Sequence, residues 1–153
     1  MIPSLPPRRV YIAGPMQGYP AFNFPRFHAV AFALRQNGHE VFCPAEKDIE
    51  RHNGVDISAG NTTGSLAQSK AEHGFSLRKA LDEDLHYICK HADLVVMLPG
   101  WERSNGSQAE QRTAVALYSE GMEIIYLTEE LCKAMEAAYA ILGGTPEGQP
   151  HEA

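Results

Sequence analysis

The run Ser104-Asn105-Gly106-Ser107-Gln108-Ala109-Glu110 brings two hydroxyls, a glycine and a carboxylate together just after an apolar stretch, Asp93-Leu94-Val95-Val96-Met97-Leu98, that ends in Pro99-Gly100-Trp101. A strand followed by a polar loop and a helix start exposes free backbone N–H groups, which hold an anion or sugar hydroxyls. A carboxylate beside them can act as nucleophile, acid or base. The same residues also have a structural reading. Ser104 or Ser107 can cap the helix, and Glu110 can be a capping-box or dipole-favoured glutamate.

Three further groups carry possible chemistry. Gly14-Pro15-Met16-Gln17-Gly18 follows the apolar run Val10-Tyr11-Ile12-Ala13, and a glycine there lets a ligand approach the backbone. It is neither G-x-G-x-x-G nor a P-loop, and a plain turn would serve as well. In Asp82-Glu83-Asp84 the carboxylates separate by geometry. At about 100° per residue, Asp84 falls at the edge of the stripe Leu77, Leu81, Leu85, Ile88, while Asp82 and Glu83 fall well away from it. A core-facing carboxylate needs a partner or a task. Trp101, the single tryptophan, either stacks on a base or sugar or covers its loop; the Tyr11 hydroxyl lies near the same end of the sheet. Asp93 reads as a strand-end aspartate, and His28, His86 and His91 as helix-surface or helix-end residues.

Composition narrows the classes. The chain has 153 residues, 44% of them hydrophobic, and a net charge of −6. That balance argues against a protein that tracks a nucleic-acid backbone, but not against one that holds a single phosphate on oriented N–H groups. Cys43, Cys89 and Cys132 are odd in number and far apart, without C-x-x-C, which implies free thiols in a reducing compartment. Seven histidines show no H-x-x-x-H or H-E-x-x-H spacing, so no metal is expected. Residues 1–9 lack the apolar core of a signal peptide, and no run reaches the ~20 apolar residues of a membrane span. The expectation is a cytoplasmic protein without membrane or nucleic-acid partners and without a cofactor.

The elements that must position these groups follow from periodicity. Residues 10–13 and 41–43 are short apolar strands, the second stopped by Pro44. Between them Asn23 is a candidate N-cap, Pro25 fits a first helical turn, and Phe27, Val30, Ala31 and Leu34 recur at helical spacing up to Gly38. Residues 45–75 carry several glycines and few apolar anchors and read as a long insertion or mobile loop with at most one short helix. Helices are expected from Ser76 to about Ile88, from about Ser107 to Ser119, and from Thr128 to about Leu142, with strands at 93–98 and 123–127; the tail from 143 reads as disordered. The order β-α-β-(loop)-α-β-α-β-α predicts one α/β domain over residues 1–142. It would be doubly wound (flavodoxin- or Rossmann-like), with a mostly parallel sheet of four to five strands. Ligands of such sheets bind beyond the strand carboxyl ends, which selects residues 14–23 and 99–106.

With these motifs in place the chain resembles a known family. Tyr11-Ile12-Ala13-Gly14-Pro15, Asp84-Leu85, Ala92-Asp93-Leu94-Val95-Val96 and Ser104-x-Gly106-x-x-x-Glu110 resemble the nucleoside 2-deoxyribosyltransferase-like superfamily, which includes nucleoside 5′-monophosphate N-glycosidases. The likeness is strongest to a poorly characterised phage and bacterial branch carrying Y-I-A-G-P-M-x-G, F-N-F-P and L-P-G-W-x-x-S-x-G-x-x-x-E, here residues 11–18, 22–25 and 98–110. The resemblance implies cleavage of a base–sugar bond. Glu110 would attack the anomeric carbon C1′, Asp84 would position substrate and move protons, and Tyr11 would stand beside the nucleophile. Gly14, Met16, Asn23, Phe24, Trp101, Ser104, Asn105 and Gly106 would bind substrate. Ser104 resembles the serine that meets the 5′-phosphate in the nucleotide hydrolases. Pro15 and Gln17 depart from the Ser and Arg that those enzymes carry in the first loop, so Arg26, Arg103 or a residue of the 45–75 segment would have to substitute. Family members are commonly dimers or larger, which makes a homo-oligomer the expectation. The alternative is a non-catalytic protein that senses or sequesters a nucleotide; a third reading is a scaffold with a vestigial pocket.

Overall fold

The computed structural model describes residues 6–143. The expectation for the tail therefore lies outside the described residues, as does most of the N-terminal stretch. Four strands, β1 (Arg9–Ala13), β2 (Glu40–Phe42), β3 (Leu94–Met97) and β4 (Glu123–Tyr126), form one sheet in the order β2-β1-β3-β4 with every pair parallel. Six helices accompany them: α1 (Phe24–Gln36), α2 (Pro44–Arg51), α3 (Leu66–His73), α4 (Leu77–Lys90), α5 (Asn105–Ala116) and α6 (Glu129–Leu142). This is the doubly wound α/β arrangement.

The central strands are covered on both faces, which is why they read as unbroken apolar runs. Side chains alternate along β1 and β3. Val10, Ile12, Leu94, Val96 and Leu98 enter a core shared with α1 and α6, through Phe27, Val30, Ala31 and Cys132. Tyr11, Ala13, Val95 and Met97 enter the opposite core, with Ile88 of α4 and Ala114 of α5. That alternation puts Tyr11, a polar-tipped residue of a fully buried strand, on the same side as α4 and α5. The chain winds outward from β1 to β2 and then from β3 to β4, so the loops after β1 and β3 part and leave a crevice.

Residues 44–75 differ from the expectation of an irregular insertion. Pro44 does not merely stop β2; it is the first residue of α2, where its missing N–H costs nothing. A second helix, α3, is capped by the Ser65 hydroxyl, which accepts from the Gln68 N–H, and ends at Gly74 with φ 69°. The stretch between them is anchored rather than loose. Ile57 is buried in the α1-side core. The Asn61 side chain both donates to the Ser65 carbonyl and accepts from the Ser65 N–H, each at 2.9 Å. Gly18 N–H donates to Gly64 C=O, and Ala21 N–H to Asn61 C=O, each at 2.9 Å, strapping the segment to the loop after β1.

Helix limits also shift. α5 begins at Asn105, two residues before the expected start, because Ser104 is its cap and accepts from the Ser107 N–H at 3.3 Å. On α4 the buried face is Ala80, Asp84 and Ile88, and Leu77 is 55% exposed. The stripe is rotated from the one drawn through the leucines, and Asp84 lies at its centre rather than its edge.

Gly64 marks how tightly the strap fits. Its φ is 67°, and a Cβ would lie 2.4 Å from the Tyr19 carbonyl oxygen and 2.6 Å from the Tyr19 nitrogen, both unyielding backbone. Gly64→Ala is therefore expected to destabilise the protein by on the order of 2 kcal/mol or more. Urea denaturation measures this; an unchanged midpoint would show that the strap is not part of the cooperative fold.

Candidate functional site

The crevice between β1 and β3 opens into a cavity of about 640 Å³. Residues 14–19 after β1 and residues 103–107 with Glu110 after β3 form two of its sides. Phe22 and Gly100 add to these, and the remainder comes from residues 44–81, among them Asp48, Ile57, Ser69 and Phe75. Most of that lining is apolar. The few polar groups in it therefore meet a ligand in a low-dielectric setting, where each interaction counts for more.

At the floor lies an acid cluster. Glu110, 7% exposed, accepts a hydrogen bond at 2.8 Å from the hydroxyl of fully buried Tyr11. Tyr11 has one hydroxyl proton, and the geometry gives it to Glu110. Asp84, also 7% exposed, has one carboxylate oxygen with no hydrogen-bond partner, and its nearest cation is Arg51 Nη2 at 4.0 Å. Arg51 is shared: it also bonds Asp48 at 2.8 Å and Glu83 at 3.0 Å. Two buried acids, Asp48 and Asp84, therefore share one guanidinium with the exposed Glu83. Burial pushes the Glu110 carboxyl well above the usual glutamate range, and the nearby Asp84 charge pushes it further; the Tyr11 hydrogen bond works in the other direction. Burial raises Asp84 to about 7 and Asp48 to about 6, each against the pull of Arg51. Tyr11 is itself held far from ionising, first by burial and then by Glu110.

The start of α5, about a turn before Glu110 on the same helix, also lines the cavity. The Ser104 cap, Asn105, Gly106 and Ser107 line it, and the buried Ser107 hydroxyl has no hydrogen-bond partner. Arg103 is exposed at the rim and makes no ion pair among the described residues. A 12-residue helix N-terminus with an unpartnered buried hydroxyl and a nearby guanidinium is suited to an anion. With Ser104 as the cap, Glu110 falls in the second turn of α5. That geometry removes the capping-box reading of Glu110 and leaves it free to face the cavity.

Of the residues anticipated from sequence, Glu110, Gly14, Met16, Ser104, Asn105 and Gly106 line the cavity, and Tyr11 and Asp84 lie beneath or beside it. Gly14 is required less by a ligand than by packing, since a Cβ there would come within 2.7 Å of the Leu98 side chain. Asn23, Phe24 and Trp101 do not line it. Asn23 adopts a left-handed conformation, φ 60°, and its side chain donates to the Pro15 carbonyl instead of capping α1. It shapes the β1 loop. Phe24 is buried in the core, and its neighbour Phe22 takes the wall of the cavity. Trp101 packs on Tyr126 of the edge strand, ring centroids 5.6 Å apart, so it covers its loop. Arg26 is committed to Glu129 and Glu136 on α6 and is not free for a phosphate.

Sequence reasoning does not find Asp48, Ser69 or the apolar residues Ile57, Leu66 and Phe75, because all five lie in the segment that reads as an insertion. A signal was present. Pro44 followed by Ala45-Glu46-Lys47-Asp48-Ile49-Glu50-Arg51 is a good helix sequence with Pro at its first position, and Ala45 and Asp48 share one face. For a metal, one group among the described residues, His28, Cys43 and Glu46, brings ligand atoms within 4.8 Å of one another. Glu46 is already bonded twice by Arg35, and burial holds the Cys43 thiol neutral, pushed up to about 12. Two of the three groups are thus already committed without an ion.

Fold and site together define a parallel α/β domain with a buried acid cluster beneath a cavity at the carboxyl ends of its strands. Residues 8–126 match the family described as Domain of unknown function (DUF4406), and the chain belongs to that family. No curated protein and no solved structure matches it. Among the described residues no helix is long and apolar enough to cross a membrane.

The raised carboxyls have a consequence for stability. Asp84 binds its proton more tightly folded than unfolded, with a pKa of about 7 against about 4 for an ordinary aspartate. Its contribution is therefore full below about pH 4 and is lost as pH rises through about 7. Asp84→Asn, which keeps the shape and removes the charge, is expected to stabilise the protein at pH 8 by on the order of 2–4 kcal/mol and to change little at pH 4. Urea unfolding of both proteins at the two pH values checks this; equal differences at both would contradict the assignment.

Proposed function

We propose that the protein cleaves or exchanges the N-glycosidic bond of a nucleoside 5′-monophosphate or nucleoside, with Glu110 as nucleophile. The observation that carries this reading is Glu110 itself: a buried carboxylate held by Tyr11 at 2.8 Å on the wall of a largely apolar cavity that the anion-suited start of α5 also lines. The resemblance of the residues around Tyr11, Asp84 and Ser104 to the nucleoside 2-deoxyribosyltransferase-like superfamily supports the same reading.

The chemistry balances as a double displacement. A Glu110 oxygen forms a bond to C1′ while the C1′–N bond breaks, and its electron pair leaves with the base. The base takes up a proton, which Asp84 can supply because its pKa lies near neutrality. Water, giving a proton back to Asp84, or a second base then opens the glycosyl ester. Tyr11 orients the attacking oxygen. The Ser104 and Ser107 end of α5, with Arg103, holds the phosphate. Burial raises the energy of ionised Glu110 in the empty site, and positive charge developing at C1′ offsets that cost in the transition state.

The same burial favours a second reading, a protein that binds a nucleotide without turning it over, since it disfavours the ionised form of Glu110 that attack at C1′ needs. Turnover separates the two. Incubation with a panel of ribo- and deoxyribonucleoside monophosphates is expected to release free base, detected by chromatography, with a loss of about 10³-fold or more in Glu110→Ala. Binding without base release from any of them would establish the non-catalytic reading. Ser107→Ala and Arg103→Ala are expected to raise KM for monophosphates about tenfold and to spare the nucleosides.

The pH profile gives an independent check. Only the form with Glu110 ionised reacts, so the rate falls on the acid side. Removing the Asp84 charge lowers the Glu110 pKa, because that charge is one of its two raising causes. Asp84→Asn is thus expected to be slower but to move the acid limb to lower pH. An acid limb that stays in place would contradict the coupling of the two carboxyls.

A further inference from the structure

Two polar groups of the cavity have no part in the chemistry described so far. Asp48, 3% exposed, and Ser69, 1% exposed, both line it, and both belong to the 44–75 segment, on α2 and α3. The Ser69 hydroxyl is buried without a hydrogen-bond partner. One Asp48 carboxylate oxygen accepts from Arg51 at 2.8 Å, and the other accepts no hydrogen bond among the described residues. A buried hydroxyl left unmatched, in a cavity that also holds a carboxylate with an oxygen to spare, is the pattern of a site whose partner is the ligand.

We propose that Asp48 and Ser69 form the subsite that reads the heterocycle, and that they select bases carrying an exocyclic amino group over bases that present a carbonyl in its place. This rests on the N-glycoside reading of the cavity. A carboxylate repels phosphate, so Asp48 cannot face the anionic part of the ligand, and the start of α5 can. The phosphate on α5 thereby orients the ligand, leaving the heterocycle to face Asp48 and Ser69. Phe22, Ile57, Leu66 and Phe75 supply apolar surface for a flat ring. Asp48 offers a lone pair to an amino N–H. A carbonyl in that position would set oxygen against oxygen in a water-poor site. A site built to hydrogen-bond one group rejects the analogue that lacks it more strongly than an apolar pocket rejects a change in size.

The test is equilibrium binding by calorimetry to the full-length protein carrying Glu110→Gln, which stops turnover. Matched monophosphates are compared, adenine against hypoxanthine and cytosine against uracil, on the same sugar. The amino-bearing member of each pair is expected to bind about tenfold tighter or more. Adding Asp48→Asn, which preserves size and an acceptor for Arg51 but places an amide N–H in the site, should bring the members within about threefold or reverse their order. Adding Ser69→Ala, which leaves the Asp48–Arg51 pair intact, should weaken both members of each pair. Equal binding before the Asp48 change, or an unaltered preference after it, overturns the subsite. Base release by the parent protein is scored separately, so that result leaves the role of Glu110 standing. If no nucleotide binds at all, both readings fall.

Discussion

The hydrogen bond from Tyr11 to Glu110 is the contact on which the rest of the site depends. It joins the central strand to α5 through the only polar tip on the buried face of β1. Without it, Glu110 would be a carboxylate in an apolar core with no donor. With it, the carboxylate has a fixed orientation but remains far from satisfied, because Asp84 stands close by and Arg51 is divided among three acids. A core designed for stability alone would place apolar side chains at these positions. The doubly wound sheet tolerates the cluster because both faces are otherwise densely apolar, and it concentrates the cost where the strand ends open into the cavity.

The segment between β2 and α4 turns that acid cluster into a site. Its backbone is strapped to the β1 loop through Gly18–Gly64 and Ala21–Asn61, and it brings Ile57, Leu66 and Phe75 over the acids. Excluding water from one side of Glu110 raises its pKa and strengthens every polar contact inside. The β1 loop answers with a left-handed stretch at Ala21, Phe22 and Asn23, φ 51° to 60°, that turns Phe22 into the cavity. Such backbone is unfavourable for residues with a Cβ and persists where surrounding contacts fix it, here the Asn23 side chain on the Pro15 carbonyl.

The fold was legible because its signals were local. Apolar runs bounded by Gly and Pro marked the strands, and helical spacing marked α1, α4, α5 and α6. The separation of Asp84 from Asp82 and Glu83 needed only helix geometry, and the structure buries Asp84 alone of the three. What was hidden depended on tertiary contact. Residues 44–75 have weak periodicity because their helices are short and held by backbone straps, which leave no mark in an apolar pattern. Asp48 and Ser69 were hidden with them. The open choice at Trp101, and the place of Phe24 in the core rather than the cavity, have a related cause: an aromatic at the right end of a sheet can face the cavity or the core, and side-chain direction is decided by neighbours such as Tyr126 that lie far away in sequence.

The most direct test of the central claim is whether Glu110 becomes covalently glycosylated. A substrate with fluorine at the 2′-position destabilises positive charge at C1′ and slows both steps, and an accumulating ester can then be located by mass spectrometry of the digested protein. The account predicts one added glycosyl phosphate per chain, on the peptide containing Glu110 and absent from Glu110→Gln. Modification at another residue, or base release with no adduct on Glu110 under conditions that slow the second step, would contradict it.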